Sequence, residues 1–275
     1  MNTDTLYAAP LTGTLTFLTI SRSIMRSWMP ADLPIMVVAT SWWNGNRLTR
    51  PSYPVANRPL VCDSGGFLAH QRFGGFPYSV DQLADWASDW QADWCATPDY
   101  PCEPELAQGE VQRRLELTVE RAAEALQRRP DVPWRPVLQG WALPDYLRCW
   151  ELYAKAGITP KAVGTLCRRN KAKQIAQIMA GIQAERPGFR YHLFGVKLSA
   201  LKEAPIRQTA ASLDTAAWSM DGAHDKDAPG GRYISAATAR AHGYASRSKF
   251  EWTLARRYYA RMQALLNTPY QPQLV

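Results

Sequence analysis

The sequence predicts a single (βα)8 TIM barrel with a C-terminal helix, and three observations predict it. About eight short runs of apolar, β-branched or aromatic residues recur along the chain, and in its later half helical patterns alternate with them. The length of 275 residues suits one large α/β barrel able to bury its own core. The residues able to do chemistry, chiefly carboxylates and glycines, sit where the runs end, as they do on the C-terminal face of such a barrel.

Leu15 to Ile20 is the first strand, rich in β-branched and aromatic residues. Ile24 to Met29 is a short segment before Pro30. Pro34 to Thr40 is a near-continuous apolar run, the pattern of a parallel strand buried on both faces. The Pro- and Asn-rich stretch from Asn44 to Pro59 is a loop, and Leu60 to Asp63 is the next strand. Ser79 caps a helix running to about Trp94, with Val80, Leu83, Trp86 and Trp90 at helical spacing. A proline-punctuated turn region, Asp93 to Pro104, leads into a long helix. Its stripe is Val111, Leu115, Val119, Ala122 and Leu126, and Pro130 ends it.

Trp134 to Leu138 is a strand ending in Gln139-Gly140, and a helix spans roughly Pro144 to Ala156. Ala162 to Gly164 ends a further strand. Asn170 is the N-cap of a helix that places Ile175, Ile178, Met179 and Ile182 on one face. Tyr191 to Lys197 is a strand, and Ala211 to Thr215 is a short one that carries Asp214 near its end. The glycine-rich stretch from Gly222 to Arg232 reads as a mobile loop. The last helix, from about Arg247 to Leu266, buries Phe250, Leu254, Tyr258, Met262 and Leu265 and turns Lys249 and Arg256 outward. With no repeat, low-complexity tract or composition break, residues 1–275 read as one domain.

The 11 Trp and 12 Tyr exclude a disordered chain. A formal net charge of +8, spread along the sequence, describes a basic face suited to polyanionic phosphate. The five cysteines (Cys62, Cys95, Cys102, Cys149, Cys167) form no CxxC pair, so neither a zinc ribbon nor a disulfide framework is indicated. They read as reduced thiols, with Cys102, Cys149 and Cys167 buried. Met1 to Pro10 lacks a signal-peptide pattern and no apolar run has membrane-spanning length, so a soluble cytoplasmic protein is expected.

The chemistry centres on Leu60-Val61-Cys62-Asp63-Ser64-Gly65-Gly66-Phe67, a strand that ends on a carboxylate and breaks into a glycine turn. Such a turn allows positive φ and close backbone approach, beside a carboxylate that can move a proton and a ring that can stack. Further strand ends supply the Asp93/Asp99 region, Gln139-Gly140, Gly164, Phe194-Gly195 and Asp214. Together these suit a purine-sized heterocycle and a reacting sugar. Phe194 reads equally as core, and Arg168 and Arg169 equally as phosphate contacts or a solvated helix start.

The order of these pieces resembles the tRNA-guanine transglycosylase family. It is most similar to the short DpdA-type 7-deazaguanine DNA transglycosylases of phage and bacterial DNA modification, which share queuosine-related chemistry. The residues that carry the resemblance are the Asp63-Ser64-Gly65-Gly66-Phe67 motif, Cys102-Glu103-Pro104, Val163 to Arg169, Phe194-Gly195-Val196-Lys197 and Ser212 to Ser219, spread over about residues 60–220. The resemblance implies that Asp214 attacks C1′ and forms a covalent glycosyl-enzyme, with Asp63 as general acid/base. It implies base binding by Ser64, Gly66, Phe67, Asp99, Gln139, Gly140, Gly164, Phe194 and Gly195, with Asp93 as the alternative to Asp99. Arg168, Arg169, Lys197, Lys226, Arg232, Arg247 and Lys249 are the candidates for a phosphate-binding surface.

Two departures favour DNA over tRNA. Leu68 follows Phe67 where the tRNA enzymes usually carry Gln, and no cysteine follows Cys167, so the zinc motif of those enzymes is missing. The expected partners are therefore DNA and a free 7-deazaguanine base, with no metal, redox or nucleotide cofactor. The alternatives are a tRNA transglycosylase with a trimmed C-terminus and a non-catalytic nucleic-acid-binding subunit of a modification complex.

Overall fold

The computed structural model describes residues 14–20, 22, 25, 31–52, 55, 58–169, 171–221 and 236–268. Its strands are β1 (Leu15–Ile20), β2 (Ile35–Val38), β3 (Leu60–Asp63), β4 (Trp94–Ala96), β5 (Trp134–Arg135), β6 (Val137–Leu138), β7 (Ala162–Val163), β8 (Tyr191–Leu193) and β9 (Ala210–Thr215). They pair in parallel in the order β5-β4-β3-β2-β1-β9-β8-β7-β6. The two edge strands are successive pieces of one extended stretch, parted only by Pro136. Proline has no N–H to give to a ladder, and the pairing changes sides there, from β4 to β7. The result is a nearly closed barrel whose two edges are joined by the chain itself.

Strand side chains alternate, so each strand serves two cores. Phe17, Met36, Val61, Trp94, Ala96, Val137 and Ala162 form one buried cluster inside the barrel. Their neighbours Leu18, Ile35, Val37, Leu60, Cys62, Cys95, Leu138, Val163, Leu193 and Leu213 join the larger core beneath the helices. Fully burying a side chain of this size stabilises by about 1.5–3 kcal/mol.

The covering helices are α1 (Gly66–Phe73), α2 (Val80–Asp89), α3 (Gln108–Arg128), α4 (Leu143–Lys155), α5 (Ala172–Glu185), α6 (Ala204–Thr209), α7 (Trp218–Asp221), α8 (Ala236–Ala241) and α9 (Arg247–Asn267). Ser79 caps α2 as expected, accepting from Gln82 N while Gln82 Oε1 accepts from Ser79 N. At the other end of the chain, Arg207, in α6 just ahead of β9, donates to the carbonyls of Leu265, Leu266 and Thr268. A cation there satisfies the last carbonyls of α9. It also fixes the C-terminal end of α9 where the strands begin, so the first turn, with Arg247 and Lys249, lies toward the end where the strands finish. Among the described residues no helix is long and apolar enough to cross a membrane.

Several expected bounds shift for local reasons. The capped helix stops at Asp89, because Gln91 takes a positive φ and Trp94 opens β4. The run from Pro34 to Thr40 is extended only over Ile35–Val38 and then coils into a 3-10 turn, Ala39–Trp42. The strand beginning at Tyr191 ends at Leu193, because Gly195 turns the chain at φ +68°. In α9, Leu254 and Leu265 are only half-buried, and Trp252 and Leu266 take the deeper places. Helices α1, α6, α7 and α8 lie outside the expected set. The expected N-cap Asn170 and the loop from Gly222 to Arg232 fall outside the described residues.

Candidate active site

The residues at the mouth lie two positions beyond those that fill the barrel. Thr19 follows Phe17, Asp63 follows Val61, Gln139 follows Val137 and Gly164 follows Ala162. On β8 and β9 the inward pairs are His192 with Phe194 and Ser212 with Asp214. On β1, β3 and β6 a period of two therefore puts an apolar residue inside the barrel and a polar one at its C-terminal mouth, whereas β8 and β9 put His192 and Ser212 in the lower layer.

Asp63 ends β3, and its Oδ1 accepts from Gly65 N at 3.1 Å. Gly65 sits at φ +75°, and a Cβ there would lie 2.4 Å from Thr40 Oγ1. A Cβ on Gly66 would lie 2.3 Å from the Asp99 carbonyl oxygen. The close approach that this glycine pair permits is thus to the protein itself, and it presses the start of α1 onto the loop after β4.

That loop delivers Asp99 to the mouth, 8% exposed. Ser64 Oγ donates to its Oδ1 at 2.7 Å and Gln139 Nε2 donates to its Oδ2. Gln139 Oε1 accepts in turn from Thr165 Oγ1, and Tyr78 OH holds the Ser64 carbonyl at 2.5 Å. Asp93, the alternative, is exposed ahead of β4, where it accepts from Leu60 N at the opposite end of the barrel.

Electrostatics separate the carboxyls. Burial pushes Asp99 up to about 6, against the hydrogen bonds from Ser64 and Gln139. Burial, then the charge of Asp99 and that of Asp214, pushes Asp63 up to about 8, against the Gly65 N–H. A carboxyl group so placed keeps its proton at neutral pH.

Asp214 is 4% exposed. Gly195 N donates to its Oδ1 at 2.8 Å and Thr19 Oγ1 to its Oδ2 at 2.5 Å. Gly195 also fits tightly under Cys167, where a Cβ would meet Cys167 Cβ at 2.3 Å. Cys167 was expected to be buried, yet it opens to solvent on the turn after β7, while Cys102 and Cys149 are buried. The protein around its thiol, and then Asp214 and Asp63, push it up to about 11. It is therefore not a thiolate at neutral pH.

Two rings remain half-exposed. Phe67 lies in the first turn of α1 with the Arg168 guanidinium carbon 5.4 Å from its ring centre. Phe194 follows β8 and stands edge-on to His192, centroids 4.6 Å apart. Gly140 packs against the Tyr146 backbone nitrogen of α4, and Gly164 packs against the Gln139 amide. A proton-bearing carboxyl, a second carboxyl with both oxygens hydrogen-bonded, and two accessible rings therefore share one mouth. Among the described residues no group of three His, Cys, Asp or Glu could hold a metal ion.

Residues 23–265 match the DpdA family, described as DeoxyPurine in DNA protein A. The chain belongs to this family. No curated protein gives a significant match. Membership ties the chain to DNA as substrate and to a transglycosylase-type role.

Seen against a DNA substrate, the seven basic candidates divide. Arg168 is on the mouth, 41% exposed and 3.3 Å from Glu103 Oε1. Lys197 is half-buried just beyond β8. Arg247, paired with Glu251 at 3.0 Å, and the exposed Lys249 occupy the first turn of α9. Arg169 is enclosed by the protein instead of facing solvent. It is 4% exposed, stacks 4.4 Å from the Trp141 ring, and donates to the Trp141 and Thr165 carbonyls and to Tyr146 OH. Lys226 and Arg232 lie outside the described residues.

Thr19, Tyr78, Thr165 and His192 escaped the sequence reading. Thr19 and His192 had a signal, their inward parity. Thr165 had none: a β-branched residue at φ +58°, it is held in a rarely adopted conformation that aims its hydroxyl at Gln139.

Proposed function

We propose that the protein exchanges guanine in DNA for a preformed 7-deazaguanine, such as 7-cyano-7-deazaguanine, through a glycosyl ester on Asp214. The pair of carboxyls at the mouth carries the reading: Asp214, whose two oxygens are fixed by Thr19 and Gly195, and Asp63, pushed up to about 8 by burial and by the charges of Asp99 and Asp214. Two carboxyl groups driven into different roles by their surroundings are what glycosidic bond exchange requires.

In the first step an Asp214 oxygen bonds C1′ and the C1′–N9 bond breaks. Its electron pair leaves with guanine, and Asp63 gives that purine a proton. In the second step the incoming 7-deazaguanine loses its N9 proton to the Asp63 carboxylate, N9 bonds C1′, and the ester pair returns to Asp214. The atoms balance, and one glycosidic bond replaces another. Phe67 and Phe194 stack on the purine, an interaction of about 1–3 kcal/mol per base. Asp99, ordered by Ser64 and Gln139, accepts from the guanine amino edge, and Gly66, Gly140, Gly164 and Gly195 shape the backbone around the ring. C1′ is inaccessible in a stacked duplex, so the target nucleotide is flipped out or single-stranded. Arg168, Lys197, Arg247 and Lys249 meet the phosphates, which makes binding steeply salt-dependent.

The test is incorporation of isotope-labelled guanine or 7-cyano-7-deazaguanine into duplex DNA, single-stranded DNA and tRNA offered in parallel. Label in DNA that disappears with Asp214→Asn is the expected result. Label in tRNA alone would overturn the DNA reading, and label in no nucleic acid would overturn the exchange reaction.

A further inference from the structure

We propose that His192 is a positioning residue for Asp214, held by Arg135 and Ser212 as the neutral tautomer with its proton on Nε2. The inference rests on the reading of Asp214 as nucleophile and extends it to the groups beneath.

His192 lies on β8 and is fully buried. Its Nδ1 is 2.9 Å from Ser212 Oγ and its Nε2 is 3.4 Å from Asp214 Oδ1. Arg135 Nη1 lies 3.4 Å from the same Ser212 Oγ. A guanidinium only donates, so the serine oxygen accepts from Arg135, and the direction at Nδ1 is set by the far side of the ring. Nε2 faces a carboxyl oxygen of Asp214, where a bare lone pair would be repelled and an N–H is attracted, so the Ser212 hydroxyl donates to Nδ1. An imidazole that accepts at Nδ1 carries its hydrogen on Nε2, the nitrogen facing Asp214. Among the described residues that N–H has no formed hydrogen bond. It is a buried donor waiting at 3.4 Å from the carboxyl.

The ring has little freedom to turn. Trp94 packs against it at 4.7 Å, Phe194 at 4.6 Å and Phe17 at 6.2 Å between centroids. The charged groups facing it are Asp214 from β9 and Arg135 from β5, the latter stacked 4.4 Å from the Trp94 ring. Burial holds the imidazole below its usual range, Asp214 opposes this, and Arg135 adds to it. A neutral N–H serves exchange better than an imidazolium. It cannot pass Asp214 a proton and quench it, yet it can close on the carboxyl as charge returns there when the glycosyl ester breaks. Because the same ring backs Phe194, the nucleophile and a wall of the base pocket share one support.

The test uses His192→Phe, which keeps the ring and removes the donor, and His192→Gln, which restores an N–H near the Nε2 position. With labelled base and single-stranded DNA, His192→Phe is expected to lower kcat by roughly 10- to 100-fold, less than the loss of a direct oxyanion donor. KM for the base should stay within about twofold, and the covalent DNA adduct should accumulate. His192→Gln should recover most of the rate. Unchanged kcat in His192→Phe, or no recovery in His192→Gln, would overturn the proposal. In the unmodified protein, 15N spectra of labelled histidine should show Nε2 protonated and Nδ1 bare, and the opposite tautomer would overturn the relay without any activity being measured. If Asp214→Asn still exchanges base, the nucleophile reading fails on its own, whatever the spectra show.

Discussion

Thr19 Oγ1 donates to Asp214 Oδ2 across 2.5 Å, tying the end of the first strand to the end of the last. The two strands are neighbours in the barrel, with Leu18 in register with Thr215, so the contact is built into the ring closure. Thr19→Val keeps the shape and removes the donor. Exchange should fall on the order of 10-fold or more while the melting temperature moves little. Equal rates for variant and parent would show that the Thr19 donor is not needed to position the carboxyl.

Asp63 gives a stability prediction with a definite direction. Its folded value of about 8 lies above that of the unfolded chain, so from about pH 4 upward the native state retains a proton that the unfolded state has lost. Stability therefore declines from about pH 4 until about pH 8, above which the loss is complete. Asp63→Asn keeps the acceptor for Gly65 N and has no proton to lose. Its melting temperature should match the parent's near pH 4 and exceed it by about 5 °C or more at pH 8, although exchange is abolished. A gap that narrows with rising pH would contradict the assignment.

In the proposed exchange the same carboxyl sets a pH limit. If guanine release takes its proton from Asp63, the rate of the first step should fall above about pH 8. Single-turnover release of labelled guanine from DNA across pH 6–10 checks this, and a flat profile through pH 9 would count against Asp63 as the acid.

Gly66→Ala sets a Cβ 2.3 Å from a backbone carbonyl, which no side-chain rotation relieves. The start of α1 must move away from Asp99, costing about 1–3 kcal/mol and lowering base affinity together with stability. Gly109→Ala is the matched control, since a Cβ there meets nothing within 4 Å in the first turn of α3. Thermal melts should show the control equal to or slightly above the parent.

Arg168 and Arg169 should separate cleanly. Arg168→Ala is expected to flatten the salt dependence of DNA binding, by roughly one unit in the slope of log K against log salt, with little change in melting temperature. Arg169→Ala removes a buried cation that bridges the Trp141 and Thr165 carbonyls and Tyr146, and should lower the melting temperature by several degrees. Salt titrations and melts of both variants decide, and a larger salt effect for Arg169 would reverse the assignment.

The barrel was legible because its signals are local. Apolar runs of strand length, the Ser79 cap and the outward Lys249 and Arg256 of α9 follow from spacing along a few residues, and all of them stand in the structure. Asp63 could be marked for the same reason, since a polar residue two positions past the inward Val61 reaches the barrel mouth. Bounds were less legible where one residue changes the backbone, as Gly195 does in ending the strand begun at Tyr191.

The sequence by itself determined the fold class, the motif order that marks the family, and the positions of Asp63, Gln139 and Asp214 at or just past strand ends. Only the tertiary structure decided which of two equivalent neighbours serves which end. Arg168 and Arg169 are chemically identical and adjacent, yet one lies over Phe67 at the mouth and the other is enclosed by Trp141 and Tyr146. Asp93 and Asp99 flank one short strand, and the parallel ladder sends them to opposite ends of the barrel. Thr19 and Asp214 are 195 residues apart and meet only because the ring brings β1 beside β9. Periodicity is set by the backbone geometry of a few consecutive residues, whereas hydrogen-bond partners and the burial that shifts a carboxyl's proton depend on atoms contributed by distant strands.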